Sequence, residues 1–278
     1  MKPLLLDTEK IEVAAAEFLR EQGELFAVFD ENTQDSGNVS YGLRVGSERF
    51  FIKTAGDPQN LKSVLDHRER VALLRNAVRV AAAVPHPAVP KLHHVIESSE
   101  GPLLVYDWIE GELIGTVRER RHDPASAYVR FRALPPDRIL SALELVFDLH
   151  DKLAADGWIA VDFYDGCLIY DFSNGVIHVV DLDNYHYGPF TNEMGRLFGS
   201  TRFMAPEEFQ RGALIDQRTN VYTMGRTLLQ FLGAGTDNPE TFRGSKELLE
   251  VARHACQTER SDRFSTMAEF VQAFRDVK

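Results

Sequence analysis

Cysteine is almost missing from this chain: 278 residues carry two, Cys167 and Cys256. Two thiols make no disulfide framework, which excludes a stapled secreted scaffold and points to a reducing compartment. Basic residues are the minority sign. Lys and Arg number 31 against 42 Asp and Glu, a formal net charge of −11. That balance excludes a surface built to coat nucleic acid and a polybasic membrane anchor. No segment reaches the roughly 18 uninterrupted apolar residues that span a bilayer. The opening "MKPLLLDTEK" holds too short an apolar run for a signal peptide. Internal repeats and low-complexity tracts are also missing. These absences lead us to expect a soluble, cytoplasmic protein with neither nucleic acid nor membrane as partner. The composition, 44% hydrophobic and 26% charged, suits a folded chain with one large or two modest domains and a real core.

Residues 9–21 have helical spacing and end at Gly23. Three strand-like runs follow, at 24–29, 39–45 and 49–55, separated by the polar turn "DENTQDSGN" and the tight turn "GSE". Residues 60–83 read as helix, stopped by the prolines of "PHPAVP". Strands at "KLHHVIE" and "GPLLVYDWI" complete five strands with one helix inserted after the third. Beyond Glu110-Gly111 the pattern changes. "PPDRILSALELVFDLHDKLAADG" is a long amphipathic helix, "GCLIYDF" and "GVIHVVDL" are short strands around the turn "SNG", and the remainder is largely helical. The expected class is α+β: a strand-rich lobe over 1–110, with an N-terminal helix, and a helical lobe over 111–278. Ligands usually bind in the cleft that such a junction leaves.

Five carboxylates, Asp162, Asp165, Asp171, Asp181 and Asp183, fall within 22 positions of otherwise strand-forming sequence (183 − 162 + 1). Ionised carboxylates are costly to bury without a cation nearby. A metal-nucleotide complex or plain solvent are the two ways to account for them.

Several motifs, in order from about residue 24 to 275, resemble the protein-kinase family. "FFIK" ends in Lys53 at the place of the kinase Val-Ala-Ile-Lys strand, whose lysine holds the α/β-phosphates. Lys53 follows Val39 by 14 positions (53 − 39), which suits the valine after the kinase glycine loop. Of that loop's three glycines one remains, Gly37, with Asn32 and Gln34 at the other positions. "LLVYDWIEGELI" resembles the hinge, with Tyr106 as gatekeeper and the backbone of Asp107 and Ile109 facing adenine. Ala160-Val161-Asp162-Phe163 stands for the catalytic His-Arg-Asp-Leu. There Asp162 is the base for the substrate hydroxyl, Tyr164 replaces the usual lysine, and Cys167 replaces the magnesium-binding asparagine. "DLD" stands for Asp-Phe-Gly, so the resemblance assigns Asp181 to magnesium. Asp183, an acid where the family has glycine, supplies the metal oxygen that Cys167 does not, since a thiol is a poor ligand for a hard cation. "GSTRFMAPEEF" resembles the Ala-Pro-Glu segment, and "TNVYTMG" resembles Ser-Asp-Val-Tyr-Ser-Leu-Gly with Asn220 for the aspartate. "SDRFSTMAEF" supplies Arg263, the expected partner of Glu207. The family's helix glutamate is not evident: the register places it on Asn76 or Ala77, with Glu69 about two turns away, and the helix partner of Lys53 stays open.

The resemblance implies a bilobal kinase-like fold with a small antiparallel sheet, using ATP and Mg2+. Three functions stay open. The first is a divergent Ser/Thr protein kinase of the bacterial eukaryotic-like kind, transferring phosphate to a protein hydroxyl. The second is a small-molecule kinase of the aminoglycoside or choline kinase type, consistent with the acid-x-acid turn and the short stretch after Gly233. The third is a pseudokinase serving as a nucleotide-binding or interaction module, consistent with Cys167, Tyr164, Asn220 and the missing glutamate. Other features have structural readings. His93-His94 belong to a strand end, Cys256 is a buried helical cysteine, and Asp165 serves a turn. Asp171 opens the Ser173-Asn174-Gly175 turn, and the acids of "APEEF" complement a helix start.

Overall fold

A computed structural model of the protein describes residues 4–30, 36–60 and 63–278. The chain divides into two compact units. One comprises the residues up to Pro85 with Val89–Ile109, and the other His86–Ala88 with Glu110–Lys278.

The first unit is built on a five-stranded antiparallel sheet: β1 (Glu24–Phe29), β2 (Val39–Val45), β3 (Glu48–Thr54), β4 (Leu92–Ile96) and β5 (Leu103–Asp107). Their spatial order is β1-β2-β3-β5-β4. Alternation puts Leu43, Phe50, Ile52, Leu103 and Val105 on one face, where they bury with Phe18 and Leu19 of helix α1 (Ala15–Gln22). The opposite face carries Leu104 and Tyr106 against Leu74 and Ala77 of α2 (His67–Ala83).

Both helices start later than their spacing predicts. Residues 9–11 are extended beside β4: the Ile11 amide donates to Glu97 O and the Glu97 amide to Glu9 O. This pairing, together with the burial of Leu5 and Ile11, outweighs helix propensity and covers the open edge of β4. The second helix begins at Asp66, whose carboxylate accepts from the Glu69 amide while Glu69 accepts from the Asp66 amide. That reciprocal capping box is a signal the sequence carries in "DHRE". It also commits Glu69 to the helix start. In the same unit Arg70 is fully buried and ties three loop carbonyls, those of Ala55, Asp57 and Leu65.

The second unit opens with the short strand β6 (Glu112–Leu113) and the helices α3 (Ala127–Ala133) and α4 (Pro136–Ala155). Helix α3, capped by the Ser126 hydroxyl, does not stand out in the sequence pattern. Strand β7 (Trp158–Ile159), β8 (Leu168–Asp171) and β9 (Val176–Val179) follow, then β10 (His186–Tyr187), β11 (Phe190–Thr191) and β12 (Leu214–Ile215). Strands β6, β8 and β9 form one small sheet, and β10 pairs with β7. The chain closes with α5 (Gln217–Leu232), α6 (Lys246–Ala255) and α7 (Met267–Val277). Each of these three is capped by a side chain at its start: Asp216, Ser245 and Thr266. No helix occupies residues 233–245. Helix α4 runs through the middle of this core, with Phe147 edge-on to Phe270 and Phe274 of α7. Among the described residues no helix is long and apolar enough to cross a membrane.

Candidate functional site

Three non-glycine residues among those described have left-handed backbone: Asp162 at φ 64°, Asp181 at 63° and Ala234 at 56°. A Cβ makes this region unfavourable for L-residues by about 1–2 kcal/mol, and such conformations persist where the surroundings impose them. Two of the three are therefore the acids that the sequence singled out for proton and metal chemistry.

Local pairing holds both in place. Asp162 follows β7, which β10 fixes by pairing Ile159 with His186. Asn184 donates from Nδ2 to Asp162 Oδ2 at 3.1 Å, and the Cys167 thiol donates to the Asp162 carbonyl at 3.3 Å. Asp181 follows β9, where the Val180 amide donates to Cys167 O at 2.8 Å. Beneath them Tyr185 donates to His150 Nε2 and His150 Nδ1 donates to Val146 O, both at 2.7 Å. Burial lowers the His150 pKa to about 4, so the imidazole is neutral and serves as a packed strut against Phe163.

Cys167 is fully buried, and burial raises its thiol well above the ordinary range, reinforced by Asp181, Asp162 and Asp165. A thiol held protonated, with its hydrogen on a carbonyl, is not a metal ligand. Asp181 is exposed and Asp183 is buried at 5% exposure, so the two acids of "DLD" occupy different environments. Among the described residues no group of three or more His, Cys, Asp or Glu side chains is placed to hold a metal. What this stretch offers is one or two carboxylates. That donor set suits magnesium, which completes its octahedron with water and phosphate oxygens.

The other acids receive structural partners. Asp165 is more than a turn residue: it is buried, and both its oxygens lie 2.6 Å from Arg202 Nη2. Burial raises its pKa while Arg202 pulls it back. The Arg202 carbonyl in turn accepts from Arg226 and Gln230 of α5, so this arginine ties the Asp162–Cys167 loop to the "GSTRF" segment and that segment to α5. Asp171 accepts from the Ser173 and Asn174 amides, as a turn-opening aspartate should. The acids of "APEEF" do not begin an α-helix. Pro206–Phe209 is one 3-10 turn, in which Glu207 faces Arg263 and Glu208 accepts from the Ala205 amide at 2.6 Å. Burial raises the Glu208 pKa to about 8.

The first unit carries the residues expected to touch nucleotide. Lys53 is buried, directly across from Ser40 on β2 and Leu104 on β5. Val39 pairs with Thr54, and Thr54 Oγ1 donates to Val39 O at 2.7 Å. Gly37 has φ 78°, and a Cβ there would lie 2.5 Å from the Ser63 side chain, so this position requires glycine on local grounds alone. Asn32 and Gln34 lie outside the described residues. Tyr106 packs partly buried against α2. The Asp107 amide donates to Lys91 O, and its carboxylate accepts from His93 at 2.5 Å. The Trp108 amide donates to Arg49 O, which carries the strand pairing one residue past β5, next to Ile109. His94 contacts Thr8 O, and both histidines belong to β4. Cys256 ends α6 with its thiol toward Tyr222 O and is partly rather than fully buried.

Sequence reasoning missed Asn184, Arg202 and Ser40. Asn184 stands next to the acids in "DLDNY", and Arg202 is the one cation inside "GSTRFMAPEEF". The chain matches no protein-family model, and no curated protein matches it.

Proposed function

We propose that this chain is a magnesium-dependent phosphotransferase of bilobal, protein-kinase-like build that moves a phosphoryl group from ATP to a Ser or Thr hydroxyl of a protein. The observation that carries the reading is the pair of left-handed aspartates, Asp162 and Asp181, which the chain holds in strained backbone through separate pairings. In this reading Asp162, oriented through Oδ2 by Asn184, is the base for the hydroxyl proton. Asp181 and Asp183 are the carboxylates that would hold magnesium, which when bound neutralises charge on the phosphates. Lys53 is the phosphate clamp, with Gly37, Val39, Tyr106, Asp107 and Ile109 around the nucleotide. The segment containing Ala205-Pro206-Glu207, anchored by a buried ion pair, supports a protein acceptor over a small molecule.

A second reading, a non-catalytic nucleotide-responsive module, is favoured by one observation: the buried, protonated thiol of Cys167. Incubation with radiolabelled ATP, magnesium and a generic protein acceptor separates the two. Transfer that disappears in both Asp162→Asn and Asp181→Asn supports the enzyme. No transfer by wild type, at any magnesium concentration, supports the module.

A further inference from the structure

The strand register of the first unit arranges one sheet face in two adjacent rows. Directly paired residues point the same way, so one row is Phe29, Ser40, Lys53 and Leu104. The next is Ala27, Gly42, Phe51 and Tyr106. Tyr106 leads directly into the 107–109 backbone. Any molecule that grips Lys53 and also reaches that backbone along this face crosses the second row at Phe51.

That crossing is filled by the protein's own rings. Phe29 lies against Phe51 with centroids 6.0 Å apart and is stacked with Trp108 at 6.4 Å and 26°. Trp108 is edge-on to Phe26 at 4.7 Å. Both Phe26 and Trp108 press on the β2 backbone: a Cβ on Gly42 would meet them at 2.8 and 2.9 Å. The four rings are each partly buried, and Arg44 lies over the Phe26 ring at 5.5 Å. The Lys53 end differs. Ser40, directly across from Lys53, is 1% exposed, yet its Oγ has no hydrogen-bond partner among the described residues. A buried hydroxyl without a partner is costly, and one more acceptor or donor arriving beside Lys53 would satisfy it.

We infer that this face accepts a phosphoanhydride donor by its phosphate chain at Lys53 and Ser40, while the Phe26–Phe29–Phe51–Trp108 cluster takes the space a purine base would use. The donor is then selected as a polyphosphate, and the base adds little affinity. This rests on Lys53 being the phosphate clamp of the proposed function.

Calorimetry on the full chain with magnesium tests it, comparing a non-hydrolysable ATP analogue with inorganic tripolyphosphate. Wild type is expected to bind the two within about threefold of each other. Phe51→Ala opens the second row and is expected to favour the ATP analogue over tripolyphosphate by about tenfold, since stacking a base on aromatic rings is worth roughly that. Phe29→Ala is a second variant opening the same cluster from the β1 side, and melting curves establish that each variant folds. A wild-type preference for the ATP analogue of tenfold or more overturns the inference and leaves the phosphotransferase reading intact. So does weaker ATP binding in Phe51→Ala, which would make the ring a platform for the base. If wild type binds neither ligand but Phe51→Ala binds the ATP analogue, the rings exclude the base but the face accepts no polyphosphate, which overturns the inference and the phosphotransferase reading together. Binding of neither ligand by any folded variant overturns both.

Discussion

Asn184 donates to the carboxylate of Asp162 across 3.1 Å, joining the loop after β9 to the loop after β7. One amide thus holds an oxygen of a left-handed aspartate and fixes the direction of the other. With Asp162 as the base of the proposed phosphoryl transfer, Asn184→Ala is expected to lower kcat by roughly 10- to 100-fold with donor KM unchanged, because orientation of a base acts on the transition state. Asn184→Asp should lose at least as much, by placing like charges together. Steady-state kinetics on both variants check this, and full kcat in Asn184→Ala would remove Asp162 from the role of base.

Arg263 grips Glu207 with both terminal nitrogens, at 2.7 and 3.0 Å, and the two side chains are buried. Arg263 also donates to the carbonyls of Arg218, Gln257 and Thr258, so its removal strands several acceptors at once. Arg263→Ala is expected to destabilise by about 3–5 kcal/mol, the range for leaving one member of a buried pair alone. Urea unfolding measures it. A melt within a degree of wild type would show that water replaces the guanidinium.

The Asp165–Arg202 pair makes a sharper test, because its two members can be removed together. Arg202→Ala leaves Asp165 buried and unpaired, for an expected loss of about 3–5 kcal/mol. The double variant Asp165→Leu with Arg202→Leu is expected to recover most of that, since apolar replacement of both partners avoids an uncompensated charge. A double variant no more stable than Arg202→Ala would place the importance of Arg202 in its stacking on Tyr128 and Phe203 instead.

Glu208 gives a prediction in pH. Its carboxyl titrates near 4.5 when unfolded and is pushed up to about 8 in the folded protein by burial. Between those values the folded state holds a proton that the unfolded state has released, so stability falls as pH rises through this window and is unaffected below it. Glu208→Gln keeps an acceptor for the Ala205 amide and cannot ionise. Its Tm relative to wild type is expected to rise steadily from pH 5 to pH 8. A difference independent of pH would mean that Glu208 is ionised in the folded protein.

Local pattern carried much of the fold. Strands 24–29 and 39–45 end where turn residues and hydrophobic alternation place them. The last three helices start at Asp216, Ser245 and Thr266, because a short polar side chain before an apolar stripe can satisfy a helix start without help from elsewhere. The Glu207–Arg263 pair was also legible, through motif order rather than spacing. Residues 9–11 depart from their helical spacing because their fate depends on Glu97, far along the chain, which offers them a strand partner. The Ser126 cap that starts α3 is in view in the sequence, but seven helical residues give too little periodicity to stand out.

For the candidate site the division is similar. The acids of "AVDF" and "DLD" were singled out from the sequence, since chemistry restricts residue type. How they are held could not. The left-handed backbone of Asp162 and Asp181, the burial that makes Cys167 a hydrogen-bond donor, and the hold of Asn184 and Arg202 on one loop all come from segments that meet only in the folded chain. Backbone strain and desolvation are properties of surroundings, and residue identity alone does not encode them. The same applies to Phe51. In the sequence it is one apolar residue of "FFIK". Register places it beside Lys53's row, and three further rings from β1 and from beyond β5 make it part of a filled face.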